Sequence, residues 1–311
     1  MAATSPLERK LGAALEANDL DGALAALDSV VRRLDGNAKG QQAVGAVSYI
    51  KSVDLGLTAR LITTHLADQP RELQRWAQAL LTHEHPSFRS IGAIILPALY
   101  DGRPRLVTTR LLRVADDPNW ITRESAGNAA GRVLNEHFYE FYPVLQVWTQ
   151  HKSENVRRAV VISTMSAFDR KHPQPERAEP LLRLHDALVA DRSEYVRVNL
   201  GPFAIGAMIL RHYPDATLKR LRQWARLKDE AARWNVAMVW TSVGGRKYPE
   251  AGLELLTQLA TDERRFVWRA VAAAMVKLAR AHPALCRPVI TGWSSDPKRA
   301  PVAEAINKYL K

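Results

Sequence analysis

Apolar residues recur at spacings of three and four along most of the chain, the stripe of an amphipathic helix, and short polar turns interrupt them at regular intervals. Residues 177–214 show the pattern in one piece. RAEPLLRLHDALVA carries a helical stripe, DRSE is a polar turn rich in cap formers, and YVRVNLGPFAIGAMILRHYP is a longer apolar helix ended by Pro214. The same helix–turn–helix scheme fits residues 70–101, 103–137, 138–173, 215–248 and 250–283, with a partial unit over 284–311. Residues 1–69 predict helical hairpins of weaker repeat character, a capping region ahead of one continuous array over 70–311. Alternating β patterns and Asn-Gly hairpin signals are nearly absent, so strands are not expected. The breaks are Gly40, the Gly244–Gly245 pair and the proline-bearing stretch HPQPERAEP at 172–180.

Six arginines mark the repeat. Arg89, Arg123, Arg157, Arg197, Arg233 and Arg269 follow one another at intervals of 34, 34, 40, 36 and 36 residues, each near the start of a second helix. The proline-bearing loop accounts for the single interval of 40. A two-helix unit of this length cannot bury its apolar stripe alone, whereas stacking buries a continuous core. The hairpins resemble HEAT repeats, which implies an all-α solenoid: hairpins stacked into a curved array with a basic concave face. Tetratricopeptide repeats share the period but not the residue marks seen here.

Charge sharpens the picture. Residues 1–84 hold nine Lys/Arg against ten Asp/Glu, whereas residues 85–311 hold 35 against 22. A net charge of +12 that lies wholly in the repeating part favours a polyanionic partner, with nucleic acid ahead of an anionic membrane surface. The N-terminal stretch has charges where a signal peptide needs an apolar core, and no run approaches the ~20 apolar residues of a membrane span, so the cytosol or nucleoid is expected. Cys286 is the single cysteine and reads as a buried small hydrophobe. His137, His172, His212 and His282 fall at the ends of second helices, where a cation suits the helix dipole. His83-Glu84-His85 lacks zinc spacing, and no phosphate loop, dinucleotide fingerprint or nucleophile elbow occurs; neither metal nor organic cofactor is implied.

The ladder arginines admit two readings. Each could hydrogen-bond the neighbouring turn and its carboxylate, or it could face a phosphate backbone beside the extra cations Arg158, Arg264 and Arg265. Trp148, Trp224 and Trp293 share one context at the ends of first helices and read as core. Trp120, Trp234 and Trp268 stand within three residues of ladder arginines, where a ring can stack on a base or hold a cation. Asp116, Asp117, Asp191 and Glu194 read first as helix caps.

The string DDPNWITRESAGNAAGRVL, then VLQVWTQHKSENVRRAVV, then DRSEYVRVNL with HYPDATLKRLRQW downstream, resembles the HEAT-like DNA glycosylases of the DNA alkylation repair superfamily, the AlkC and AlkD groups. The likeness covers roughly residues 85–245. It implies binding of duplex DNA through its backbone in a basic cleft, and hydrolysis of the N-glycosidic bond of cationic alkylated purines in base excision repair. By residue match it assigns Glu124, with Trp120, to stabilising the sugar cation, and Arg157 or Arg158 to the DNA backbone. Arg89, Arg123, Arg197, Arg233, Trp234, Arg265, Trp268 and Arg269 are the further DNA-binding candidates, and a monomer is expected to suffice. The chain departs from that pattern at LGPFAIGAMIL, where the family carries Asn-Asp and Gly206 stands near the Asp place, and at Ala159 to Ser163, which supply no carboxylate. Pro202 with two glycines in that helix suggests a cleft widened for a bulky adduct, as in relatives that protect antibiotic producers. A non-catalytic DNA-binding protein and a protein–protein scaffold are the rival expectations.

Overall fold

The computed structural model describes residues 5–33, 48–168 and 174–310. Gly40 and His172 lie outside them. Chain packing divides into two compact units, Met1–Phe138 and Tyr139–Lys311.

The first unit contains α1 (Pro6–Glu16), α2 (Leu20–Asp28), α3 (Ser52–His65), α4 (Pro70–Thr82), α5 (Pro86–Ile95), α6 (Pro104–Ala115) and α7 (Trp120–Glu136). Helices α4 and α5 form one hairpin and α6 and α7 the next, while α3, α5 and α7 lie side by side as second helices. Extended structure among the described residues is one antiparallel ladder pairing Arg32 with Tyr49 and Arg33 with Ser48. The second unit contains α8 (Phe138–Trp148, beginning at the boundary residue), α9 (Glu154–Met165), α10 (Ala178–Asp186), α11 (Glu194–Asn199), a π-helical continuation over Leu200–Ile209, and α12 (Leu210–His212). It goes on through α13 (Pro214–Ala225), α14 (Glu230–Val239), α15 (Pro249–Leu259), α16 (Arg265–Ala281), α17 (Pro283–Ser294) and α18 (Ala300–Leu310). Its second helices α9, α11 with its π-helical continuation, α14, α16 and α18 again contact one another in sequence, the continuation making the contact with α14. Each unit is therefore an all-α stack of hairpins, as the periodicity requires.

Local chemistry sets the boundaries. Prolines 70, 86, 104, 214, 249 and 283 stand at helix starts, where a missing N–H costs nothing. Second helices begin behind Asn119, Ser153, Ser193 and Asp229, each accepting a hydrogen bond from a first-turn amide. Glu194 is therefore the first helical residue and Ser193 the cap. Trp148, Trp224 and Trp293 are buried on first helices, the core role their shared context predicts, and Trp76 is buried likewise. The Trp76 indole donates to Asn18 at 3.2 Å and that of Trp224 to Asp186 at 2.8 Å. Small residues let second helices approach closely: Ala126, Gly127, Ala129, Ala130 and Gly131 are all buried in α7. Cys286 is fully buried, and burial pushes its thiol up to about 11.

The glycines of the π-helical stretch do not widen a cleft. Pro202 cannot donate the amide hydrogen that an α-turn needs, which favours the wider coil. Gly201 and Gly206 are buried against α14. A Cβ on Gly201 would lie 2.6 Å from the Asn235 carbonyl oxygen, and one on Gly206 2.7 Å from that of Val239. They exist for contact between helices. Asn235 closes the seam, accepting from the Gly201 amide at 3.2 Å and donating to Val189 at 2.8 Å.

Two predictions follow from this core. Gly206→Ala should destabilise the chain by roughly 1–3 kcal/mol, read as a lower urea midpoint, because backbone on both sides resists the methyl group. His185 is fully buried with its Nε2 at 3.1 Å from Thr164 Oγ1, and burial lowers its pKa to about 3. In the unfolded chain the imidazole gains a proton near pH ~6.5, so its stabilising effect is complete above that pH and fades as pH falls towards 3. Stability should drop by roughly 3 kcal/mol between pH ~6.5 and ~4, and His185→Leu should flatten that slope in denaturant titrations.

A candidate nucleic-acid interface on the second helices

Counting from each cap makes the ladder legible. Arg89, Arg123, Arg157, Arg197 and Arg233 are all the fourth residue of their helices. That position turns the guanidinium back over its own turn and towards the next layer. Arg89 Nη1 donates to the carbonyls of His83 and Glu84 at 3.0 and 2.7 Å, while Nε and Nη2 grip Asp117 at 2.7 and 3.0 Å. Arg157 does the same with His151, Lys152 and Asp191. Arg233 donates to the Leu227 carbonyl and to Asp262, each at 2.7 Å. Arg123 donates to the carbonyls of Asp117 and Pro118 at 2.8 and 3.0 Å.

The aspartates serve twice. Asp117, Asp191 and Asp262 also accept from the backbone amide two residues on, which fixes the turn that starts the next helix. They are 10%, 6% and 3% exposed, so each bridge is well shielded from water. Burial alone would push the Asp262 carboxyl up, but hydrogen bonds from Arg264 and Arg233 outweigh it and hold the group down at about 2. Of the two readings of the ladder, the geometry at Arg89, Arg157 and Arg233 is the bridging one. All three guanidinium nitrogens of Arg89 and Arg157, and two of Arg233, donate to protein.

Three layers break the rule, the turn before α9 having His151 in the aspartate's place, where its Nδ1 accepts from the Ser153 amide at 3.1 Å. Leu227 stands two residues before the cap Asp229, the place that Asp117, Asp191 and Asp262 hold in three other layers, so Arg197 finds no carboxylate there. Its Nη1 still reaches the carbonyls of Asp191 and Arg192, but its Nε has no hydrogen-bond partner among the described residues. The guanidinium lies instead 5.2 Å from the Phe266 ring and 5.9 Å from that of Trp234, two rings stacked at 5.7 Å. In α16 the fourth residue is Trp268, and Arg269 is the fifth. Arg269 therefore sits one position outside the ladder, on another face. Asp296, left without a ladder arginine, is paired by Arg299.

The open face is the row formed by the first, fifth and ninth helical residues. In α7 this row is Trp120, Glu124 and Asn128; Trp120 is 40% exposed, Glu124 half-buried and Asn128 exposed. In α9 the fifth residue is Arg158, nearly buried, its guanidinium 4.5 Å over the Tyr195 ring. In α14 and α16 the row supplies Trp234 and Met238, then Arg265, Arg269 and Ala273, and with Phe266 these line a cavity of about 530 Å³. Arg265 and Arg269 are exposed and make no ion pair or hydrogen bond with the described residues. The structure thus places Trp120 with Glu124 on one unit, and Trp234, Arg265, Trp268 and Arg269 together on the other. Phe266 escaped the sequence reading: it lies 32 residues after Trp234, outside the 34–40-residue interval of the ladder.

Among the described residues no group of three or more His, Cys, Asp or Glu side chains is arranged to hold a metal ion, and no helix is long and apolar enough to cross a membrane.

A stack of helical hairpins with an inter-layer Arg–Asp bridge defines a helical-repeat protein. A family model described as "DNA alkylation repair enzyme" matches residues 32–203, more than half of the sequence, and the chain belongs to that family. No curated protein matches it. Among solved structures it is similar to importin beta, at 12% identity and a TM-score of 0.48, over 96% of this chain and 42% of that one. It is also similar to a designed armadillo repeat protein, at 16% identity and a TM-score of 0.28, over 77% of this chain and all of that one. The chain spans well under half the length of importin beta, and neither likeness bears on function.

The bridge reading makes a differential prediction. Arg157→Ala leaves Asp191 shielded and unpaired and should cost about 2–4 kcal/mol, whereas Arg269→Ala should stay within about 0.5 kcal/mol. Chemical denaturation of both variants checks it.

Proposed function

We propose that the protein is a DNA glycosylase that binds duplex DNA and hydrolyses the N-glycosidic bond of cationic N3- or N7-alkylated purines. Membership of a DNA alkylation repair family supports the substrate class. One observation carries the chemistry: Trp120 and Glu124, one helical turn apart, share the open row of α7. A half-exposed indole offers its negative face to a positively charged base. The carboxylate beside it stabilises positive charge as it develops on the sugar.

The reaction asks little more of the protein. As the C1′–N bond lengthens, its electron pair moves to the purine and cancels the charge that alkylation placed there. Water then adds to C1′, and Glu124 orients it and receives its proton. An activated leaving group makes one well-placed carboxylate sufficient. Duplex affinity comes from phosphate contacts by cations not held in bridges, with Arg265 and Arg269 foremost.

A second reading, a duplex binder without catalysis, draws on one observation. Positions equivalent to Glu124 in α5, α9, α11, α14 and α16 hold Ser90, Arg158, Val198, Trp234 and Arg269, none of them a carboxylate. The two separate cleanly. Release of 3-methyladenine from alkylated duplex should fall at least ~100-fold in Glu124→Gln while duplex affinity is retained. Undiminished release by the variant clears Glu124 of the role, and no release by the unaltered protein favours the binder. Duplex affinity should also fall about tenfold or more as salt rises from 50 to 200 mM; a flat response removes DNA as the partner.

A further inference from the structure

A cavity in the second unit lies between α16 and α18, beyond the residues that match the family. Its volume is about 650 Å³. Arg265, Arg269, Lys277, Arg280 and Lys308 bring five cations to its walls against a single carboxylate, Glu304. Two cations are partly committed: Lys308 pairs with Glu304 at 2.9 Å, and Arg280 donates to the Tyr309 carbonyl at 2.9 Å. Arg265, Arg269 and Lys277 make no ion pair or hydrogen bond with the described residues. They occupy positions 1, 5 and 13 of α16, so they climb one face with axial separations of about 6 and 12 Å. Trp268, half-buried, and Tyr309, 69% exposed, put aromatic rings in the same walls.

Trp268 is there because the ladder ends there. It holds the fourth helical position, where five other second helices have arginine, and Arg299 takes over the aspartate that such an arginine would bind. The layer bridge has been rebuilt from the other side, and the freed position carries a ring.

We propose that this cavity binds an unpaired nucleic-acid strand, with phosphates on Arg265, Arg269 and Lys277 and a base stacked on Trp268 or Tyr309. Rows of cations alone suit any polyanion, but rings among them favour exposed bases, which a paired duplex keeps inside its stack. The volume matches a nucleotide-sized ligand and is far too small for a double helix. The inference needs neither Glu124 nor catalysis.

Lys277 and Tyr309 test it, since both are exposed and neither belongs to the proposed duplex or reaction machinery. Binding of fluorescent oligothymidylate of about ten nucleotides to the full chain is followed by anisotropy in the unaltered protein and in Lys277→Gln/Tyr309→Ala. The double variant should bind at least ~10-fold more weakly, with an unchanged urea midpoint and unchanged base release from alkylated duplex. Undiminished binding by the variant overturns the proposal. So does equal competition by polyglutamate, or an equal loss of affinity for an unmodified hairpin duplex in the same double variant. If the protein releases no base yet its oligothymidylate binding depends on Lys277 and Tyr309, the cavity stands and the glycosylase reading falls.

Discussion

The bridge between a fourth-position arginine and an aspartate one layer on is the interaction on which the rest of this architecture depends. It ties three things together at once: the turn that starts a helix, the spacing of neighbouring hairpins, and the direction in which the next helix leaves its cap. Apolar burial would drive stacking without it, but burial is non-directional and tolerates sliding. A bidentate guanidinium–carboxylate contact does not. Its net contribution to stability is small beside its contribution to register, because both partners surrender hydration to form it.

That division of labour explains how positive charge can be abundant and yet largely unavailable. Arg89, Arg157 and Arg233 are internal fittings, whereas Arg265, Arg269 and Lys277 of α16, outside the ladder, are exposed and bond to none of the described residues. The same count sorts the aromatics. Trp148, Trp224 and Trp293 fill the core, whereas Trp120, Trp234 and Trp268 lie at the helix starts where neighbouring layers leave space.

Much of this was readable in the residues. The 34–40-residue spacing gave the hairpins, prolines and small polar caps gave their starts, and the shared tryptophan context gave the core. The structural role of the arginines was visible as one of two options, and the deciding mark was also in the sequence: an Asp two residues before the next cap, present at 117, 191 and 262 and replaced by His151 and Leu227. Distance counted from arginine to arginine concealed it, and also drew Arg269 into a set it leaves by one residue. The glycines of the π-helical stretch misled for a different reason. Glycine permits close approach equally to a ligand or to another helix, and only three-dimensional packing reveals that Asn235 and Val239 are the neighbours.

Cys286 has a practical side. A thiol enclosed in α17 and held protonated until about pH 11 is a poor nucleophile at neutral pH. The native chain thus offers thiol-directed dyes nothing to react with, and a cysteine introduced at any exposed site becomes the sole attachment point without first removing the natural one. Conversely, uptake of such a dye by the unaltered protein would report opening of the α17 layer itself.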